Sequence, residues 1–268
     1  MVENIQNSKK TDKLFLFFIG SFLCFLVIYS LCSTLIEALY QGNNSEYMYL
    51  FKRILQFALY MIYIRILHSA TRVGLNYPVN FKLHHLILSI AVMFSVIVFY
   101  ENTIQIFIDK YLTISSSLME EGSTMEAEMF RYPIPLILQT CITAPIAEEL
   151  IIRGYLFKIL KRKYTQTTAL VICSLFFAIL HFDFANTLFY FLIGLILGIV
   201  FIKLQSILYC ILLHLLINVT AVTSYYAGYE IFEQGFNLYA LLISAFVGIS
   251  SIMILATISK KKSIEAIN

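Results

Sequence analysis

Eight long apolar stretches, separated by short polar connections, lay out this chain. They run over about 14–39, 49–68, 84–108, 132–157, 167–182, 187–202, 206–225 and 236–258. Most approach the roughly 20 residues a helix needs to cross the hydrocarbon layer. The pattern predicts an all-α fold, a polytopic membrane bundle of about eight transmembrane helices. It reads as a single membrane domain over 1–268, with N-terminal spans in 14–132, a core in 133–221, and a last span with a basic tail in 222–268. The first stretch is too long for a signal-peptide core and lacks a convincing small-residue cleavage site, so it reads as a retained span.

The connections alternate in charge. The start of the chain has Lys9, Lys10 and Lys13, whereas the first connection has Glu46 and no basic residue. The second carries Arg72 and Lys82. The third is acidic, with Asp109, Glu120, Glu121, Glu126 and Glu128 against Lys110 and Arg131. The fourth has Lys158, Lys161, Arg162 and Lys163, the fifth only Asp183, and the sixth Lys203. The seventh has Glu230 and Glu233, and the tail has Lys260, Lys261 and Lys262. Basic connections stay inside, so both termini are expected to be cytoplasmic in a cell membrane, of bacterial plasma-membrane type. Lys52 and Arg53, at the outer start of the second stretch, are the one misfit, and snorkelling outward is one solution. The connection 109–131 is the longest polar one, with room for a short surface helix and an outside partner.

Composition agrees with the pattern. The 268 residues are 60% hydrophobic and 13% charged, with a mean hydropathy of +0.82. An ordinary soluble domain has about 25% charged residues. A net charge of +3, with no basic stretch in a polar setting, gives no reason to expect nucleic acid. The five cysteines, Cys24, Cys32, Cys141, Cys173 and Cys210, all fall in apolar stretches without a CxxC pair. They read as small buried hydrophobes rather than metal ligands. Cys141 lies near two carboxylates, but a thiol nucleophile needs a basic partner, and only His181 qualifies by depth.

The chemistry concentrates in the fourth stretch. There Ala144–Arg153 reads APIAEELIIR, placing Glu148, Glu149 and Arg153 at membrane depth. Ionisable groups there are costly and mark a functional site by default. Pro145 removes a backbone donor and favours a local opening of the helix. Glu149 and Arg153 stand four apart with the acid first, the favourable order for a helical ion pair. Glu148 is rotated about 100° away. One acid is then neutralised while its neighbour faces another environment, which is how a base is made. The plainer reading, a Glu–Arg pair tying helices together, accounts for Glu149 and Arg153 and leaves Glu148 without a role.

Two later stretches add imidazoles. Phe177 and His181 are four apart, as are His214 and Asn218. Glu148 and His181 each lie roughly 16 residues, on the order of 25 Å of helix, from the turn at Tyr164 and Thr165. An antiparallel hairpin sets them at one level. His214 and Asn218 lie roughly 13–20 Å deep from the turn near Gln205, and Glu148 about 15 Å deep from Lys158. The sequence therefore predicts one polar site built from three helices. A lone intramembrane histidine is more often an interhelical hydrogen bond; the matched depths argue for more. His68, His84 and His85 fall at stretch ends and receive no chemistry. The short connection FDFANT (182–187) offers Asp183 to orient His181 or to cap the sixth helix.

These residues resemble the CPBP intramembrane proteases, the family of CAAX prenyl endopeptidases and bacteriocin-processing or self-immunity (Abi) proteins. The motif EExxxR matches Glu148, Glu149 and Arg153; FxxxH matches Phe177 and His181; a His followed four residues on by Asn matches His214 and Asn218. The resemblance covers about 133–221. It implies an intramembrane endopeptidase acting on a peptide or protein substrate in or at the bilayer. It implies Glu148 as the base that activates water, His181 holding that water, and His214 with Asn218 stabilising the oxyanion. Glu149 and Arg153 then set the electrostatics, and Phe177 joins the substrate-binding set. Members are often called metalloproteases. A divalent metal such as zinc, if used, would fall to Glu148, His181 and His214. There is no HExxH, and Asn218 suits an oxyanion role better, so the reading leans towards a mechanism without a tightly bound metal. A non-proteolytic scaffold or bacteriocin-immunity protein is the alternative. A small-solute transporter fits less well, because no two related halves are visible.

Overall fold

The computed structural model describes residues 2–39, 46–75, 81–111, 132–184, 186–227 and 237–265. Among them there is no strand. All eight apolar stretches form helices: α1 (Val2–Leu39), α2 (Glu46–Thr71), α3 (Leu83–Ile108), α4 (Pro133–Leu160), α5 (Gln166–Ile179), α6 (Thr187–Leu204), α7 (Ile207–Ala227) and α8 (Leu238–Glu265). Five are long and apolar enough to cross a membrane: α1, α3, α4, α6 and α7. The chain is a multi-pass helical membrane protein. α5, with 14 residues, reaches only about 21 Å, short of the roughly 30 Å hydrocarbon layer. α2 has 26 residues but carries Gln56, Tyr60, Arg65 and His68 along its length. Residues 112–131 of the long polar connection, the Glu230/Glu233 connection and the side chains of Asp109–Tyr111 and Lys260–Lys262 lie outside the described residues.

The described chain forms two compact units, Met1–Asn76 with Gly122–Cys173 and Tyr77–Glu121 with Ser174–Asn268. The first holds α1, α2, α4 and the start of α5. Phe18, Phe22 and Phe25 recur at helical spacing on one face of α1 and bury against α2. The rings of Phe22 and Phe25 lie 5.8 and 5.1 Å from that of Tyr63. Tyr63 also donates to the Phe18 carbonyl at 3.3 Å, so its polar end is satisfied within an apolar seam. The opposite face of α1 exposes Leu23, Val27, Leu31 and Leu35, each more than half accessible. Such a stripe in water would be an aggregation site; lipid is its natural solvent. The misfit at the start of α2 has a local answer. Lys52 forms an ion pair with Glu37 of α1, and Arg53 donates to Gln56 at 3.4 Å. At the other end, Lys163 pairs with Asp12, which raises the Lys163 pKa through that hydrogen bond.

α4 is irregular where the chemistry was expected. It widens to π-helical geometry over Gln139–Thr143 and again over Leu150–Leu156. The first widening ends just before Pro145 and absorbs the lost donor and ring clash of a mid-helix proline. The turn after α4 ends at Thr165, whose hydroxyl accepts the Thr168 N–H at 3.1 Å and caps α5.

In the second unit, small residues let helices approach closely. A Cβ added at Gly248 of α8 would lie 2.9 Å from Ser95 Cβ of α3. A Cβ at Gly194 of α6 would meet Ser174 Cα at 3.1 Å and Ser174 Cβ at 3.3 Å. Gly194→Val is therefore expected to destabilise the protein by about 1–3 kcal/mol through overpacking. Gly20→Val, with nothing within 4 Å of its Cβ, is the matched control. Thermal unfolding in detergent reads the difference.

Candidate active site: a buried acid–arginine pair and a histidine group

In the first unit, Arg153 Nη1 donates to Glu149 Oε1 at 2.7 Å, with side-chain exposures of 1% and 0%. This is the ion pair the i, i+4 spacing predicts. Two charges removed from water persist only with close partners, and Cys173 of α5 lies within Coulombic range of both. Glu148, one position earlier, is turned away from the pair and half-buried. It lies within Coulombic range of Tyr60 of α2, and Tyr60 hydrogen-bonds Gln56. With Arg53 donating to Gln56, a polar line Arg53–Gln56–Tyr60 runs along α2 towards Glu148. Sequence reading missed Gln56 and Tyr60. Their spacing of four inside an apolar stretch was the available signal. Cys141 is buried, as are Cys173 and Cys210, whereas Cys24 is exposed and Cys32 partly so.

In the second unit, Phe177 brings the two histidines together. Its ring, 1% exposed, lies 4.7 Å from the His181 ring and 5.4 Å from His214, edge-on to the latter. His181 sits just past the end of α5. Its Nδ1–H donates to the Phe177 carbonyl at 2.8 Å. A carbonyl only accepts, so the proton of the neutral imidazole is on Nδ1 and the lone pair on Nε2. Tyr190 of α6 stacks on the His181 ring at 3.9 Å and 18°. The Tyr190 hydroxyl donates to Asp183 Oδ2 at 3.5 Å. Asp183 also accepts the Asn186 N–H at 3.1 Å and the Asn186 side-chain amide at 2.9 Å. Asp183 thus closes the turn into α6 and reaches His181 through Tyr190 rather than directly. Tyr190 was not visible beforehand, because its position depends on how 182–186 folds back. His214 is buried at 3%, and Asn218, one turn further along α7, is half-buried.

Among the described residues, no three His, Cys, Asp or Glu side chains gather closely enough to hold an ion.

Residues 130–220 match the family described as type II CAAX prenyl endopeptidase Rce1-like. Over that segment, about a third of the chain, the sequence is similar to CPBP/CAAX proteases, a class of peptide hydrolase acting at the membrane. It contains Glu148, Glu149, Arg153, Phe177, His181, His214 and Asn218. No curated protein and no solved structure matches the chain.

Proposed function

We propose that this protein hydrolyses peptide bonds at membrane depth with a water activated by Glu148. One observation carries the reading. Arg153 is taken up by Glu149, which leaves Glu148 outside the ion pair. Glu148 takes a proton from water, and the hydroxide attacks the scissile carbonyl carbon. The family motif assigns water binding to His181, and with its Nδ1–H committed to the Phe177 carbonyl, Nε2 is the accepting nitrogen. His214 and the Asn218 amide donate to the oxyanion as the carbonyl becomes tetrahedral. Collapse breaks the C–N bond, and Glu148 returns its proton to the leaving nitrogen. One water is consumed, giving one carboxylic acid and one amine.

His214→Ala and Asn218→Ala are each expected to lower kcat by about 10²–10³-fold with little change in KM, since an oxyanion donor acts only in the transition state. Equal loss in KM alone would assign them to substrate binding instead.

The substrate is a secreted peptide precursor, such as a bacteriocin or pheromone, or the end of a membrane-associated protein. The matched family is described by prenyl endopeptidases, so a prenylated C-terminal peptide belongs in the same assay. We place the protein in a bacterial-type plasma membrane with both termini cytoplasmic, on the charge alternation of its connections. The second reading is a scaffold or immunity protein that keeps the fold without turnover.

A further inference from the structure

A cavity of about 880 Å³ lies in the first unit between the last turns of α2 and Tyr155 of α4. Tyr155 lies seven residues, roughly 10 Å of helix, from Glu148, and no role above uses the residues that line the cavity. Arg65, His68 and Ser69 line it from one face of α2, at spacings of three and four. Tyr155 forms its inner wall, fully buried, with no hydrogen-bond partner for its hydroxyl. Met61 and Ile62 carry the lining towards the lipid-facing side of α2, where they are 40% and 56% exposed.

The level of the cavity is set by the ends of two helices. Lys158 Nζ donates to the Gly74 carbonyl, so the ends of α2 and α4 lie together. Arg65 is six residues before Thr71 and Tyr155 five before Leu160, roughly 8–9 Å inside those ends. Arg72, Lys161, Arg162 and Lys163 follow directly. This is the depth of lipid headgroups beneath a basic rim, where pockets between helices take anionic headgroups.

We propose that this cavity binds the phosphate of an anionic bilayer phospholipid. The guanidinium of Arg65 clamps two phosphate oxygens. His68 and Ser69 donate to the same group, and the Tyr155 hydroxyl gains a partner at the inner end. The acyl chain leaves along Met61 and Ile62 into the bilayer. The volume exceeds what a bare phosphate fills and lies within the roughly 300–1,000 Å³ of small-ligand sites. A lateral opening onto lipid favours an amphiphile over a soluble anion or a peptide.

The chain contains no tryptophan, so Leu75→Trp, on the cavity wall, gives a single reporter. The full-length variant is placed in phosphatidylcholine nanodiscs doped with brominated phosphatidylglycerol or, separately, brominated phosphatidylcholine. The expected result is quenching by the glycerol lipid as though enriched about ten-fold or more over bulk. Arg65→Gln removes the enrichment, Tyr155→Phe weakens it several-fold, and Arg162→Gln leaves it unchanged. Millimolar inorganic phosphate does not relieve it. Equal quenching by both lipids, or enrichment that survives both Arg65→Gln and Tyr155→Phe, overturns the proposal. Relief by inorganic phosphate assigns the cavity to free phosphate. Relief by a peptide with a free carboxylate, but not by its amide, assigns it to a peptide terminus. Either also overturns the lipid.

Discussion

Glu148→Ala lowers kcat/KM for peptide hydrolysis by about 10²–10⁴-fold while insertion and folded yield stay at wild-type levels. The two halves of this expectation come from separate features. The loss of rate follows from removing the only proposed proton acceptor for the attacking water. The preserved fold follows from burial: Glu148 is half-buried and outside the Glu149–Arg153 pair, so its removal strands no buried charge. Glu148→Gln sharpens the test. It keeps the size of the side chain, yet cannot take a proton. Rates that fall together in both variants identify the lost proton transfer. A Gln variant with near-wild-type rates would leave Glu148 a packing residue.

Arg153→Ala is expected to act in the opposite way, through folding first. It leaves the Glu149 carboxylate, 0% exposed, without its guanidinium. Breaking a buried pair by removing one partner costs about 3–5 kcal/mol. That is a large fraction of the 5–15 kcal/mol by which domains are ordinarily stable. Folded yield and thermal midpoint in detergent should fall sharply, with activity falling alongside. The double variant Glu149→Gln/Arg153→Met removes both charges and is expected to recover much of the folded yield. Recovery of fold without recovery of rate would show that the pair also sets the electrostatics of catalysis. A single variant as stable as the wild type would mean that the buried charge finds water or another partner.

These two residues show what the chain discloses by itself. The Glu149–Arg153 pair was legible because it is local: four residues on one helix fix both members. The eight helices were legible because apolar length is a property of each stretch alone. The short reach of α5 was only partly so, since the apolar run from 167 to 182 contains both the helix and the turn that ends it. His181 lies in that turn, and its Nδ1–H bond to Phe177 depends on the helix stopping at Ile179. The stacking of Tyr190 on His181 and the line Arg53–Gln56–Tyr60 beside Glu148 were hidden for a related reason. Each joins residues of different helices or turns, Tyr190 to His181 and Tyr60 to Glu148, and pattern along one helix says nothing of its neighbours. The Lys52–Glu37 pair explains why two basic residues sit at the wrong end of α2. Charge alternation counted them but had no means of pairing them across a connection.

The central claim is peptide hydrolysis dependent on Glu148. The most direct test follows cleavage of a fluorogenic peptide library by purified full-length protein in detergent. Wild type and Glu148→Ala are compared, each with and without a strong chelator, with prenylated C-terminal peptides in the same set. The account predicts cleavage by wild type alone, at a rate the chelator leaves unchanged. Absence of cleavage by wild type, with both proteins folded and inserted, would contradict it and transfer the chain to the scaffold or immunity reading.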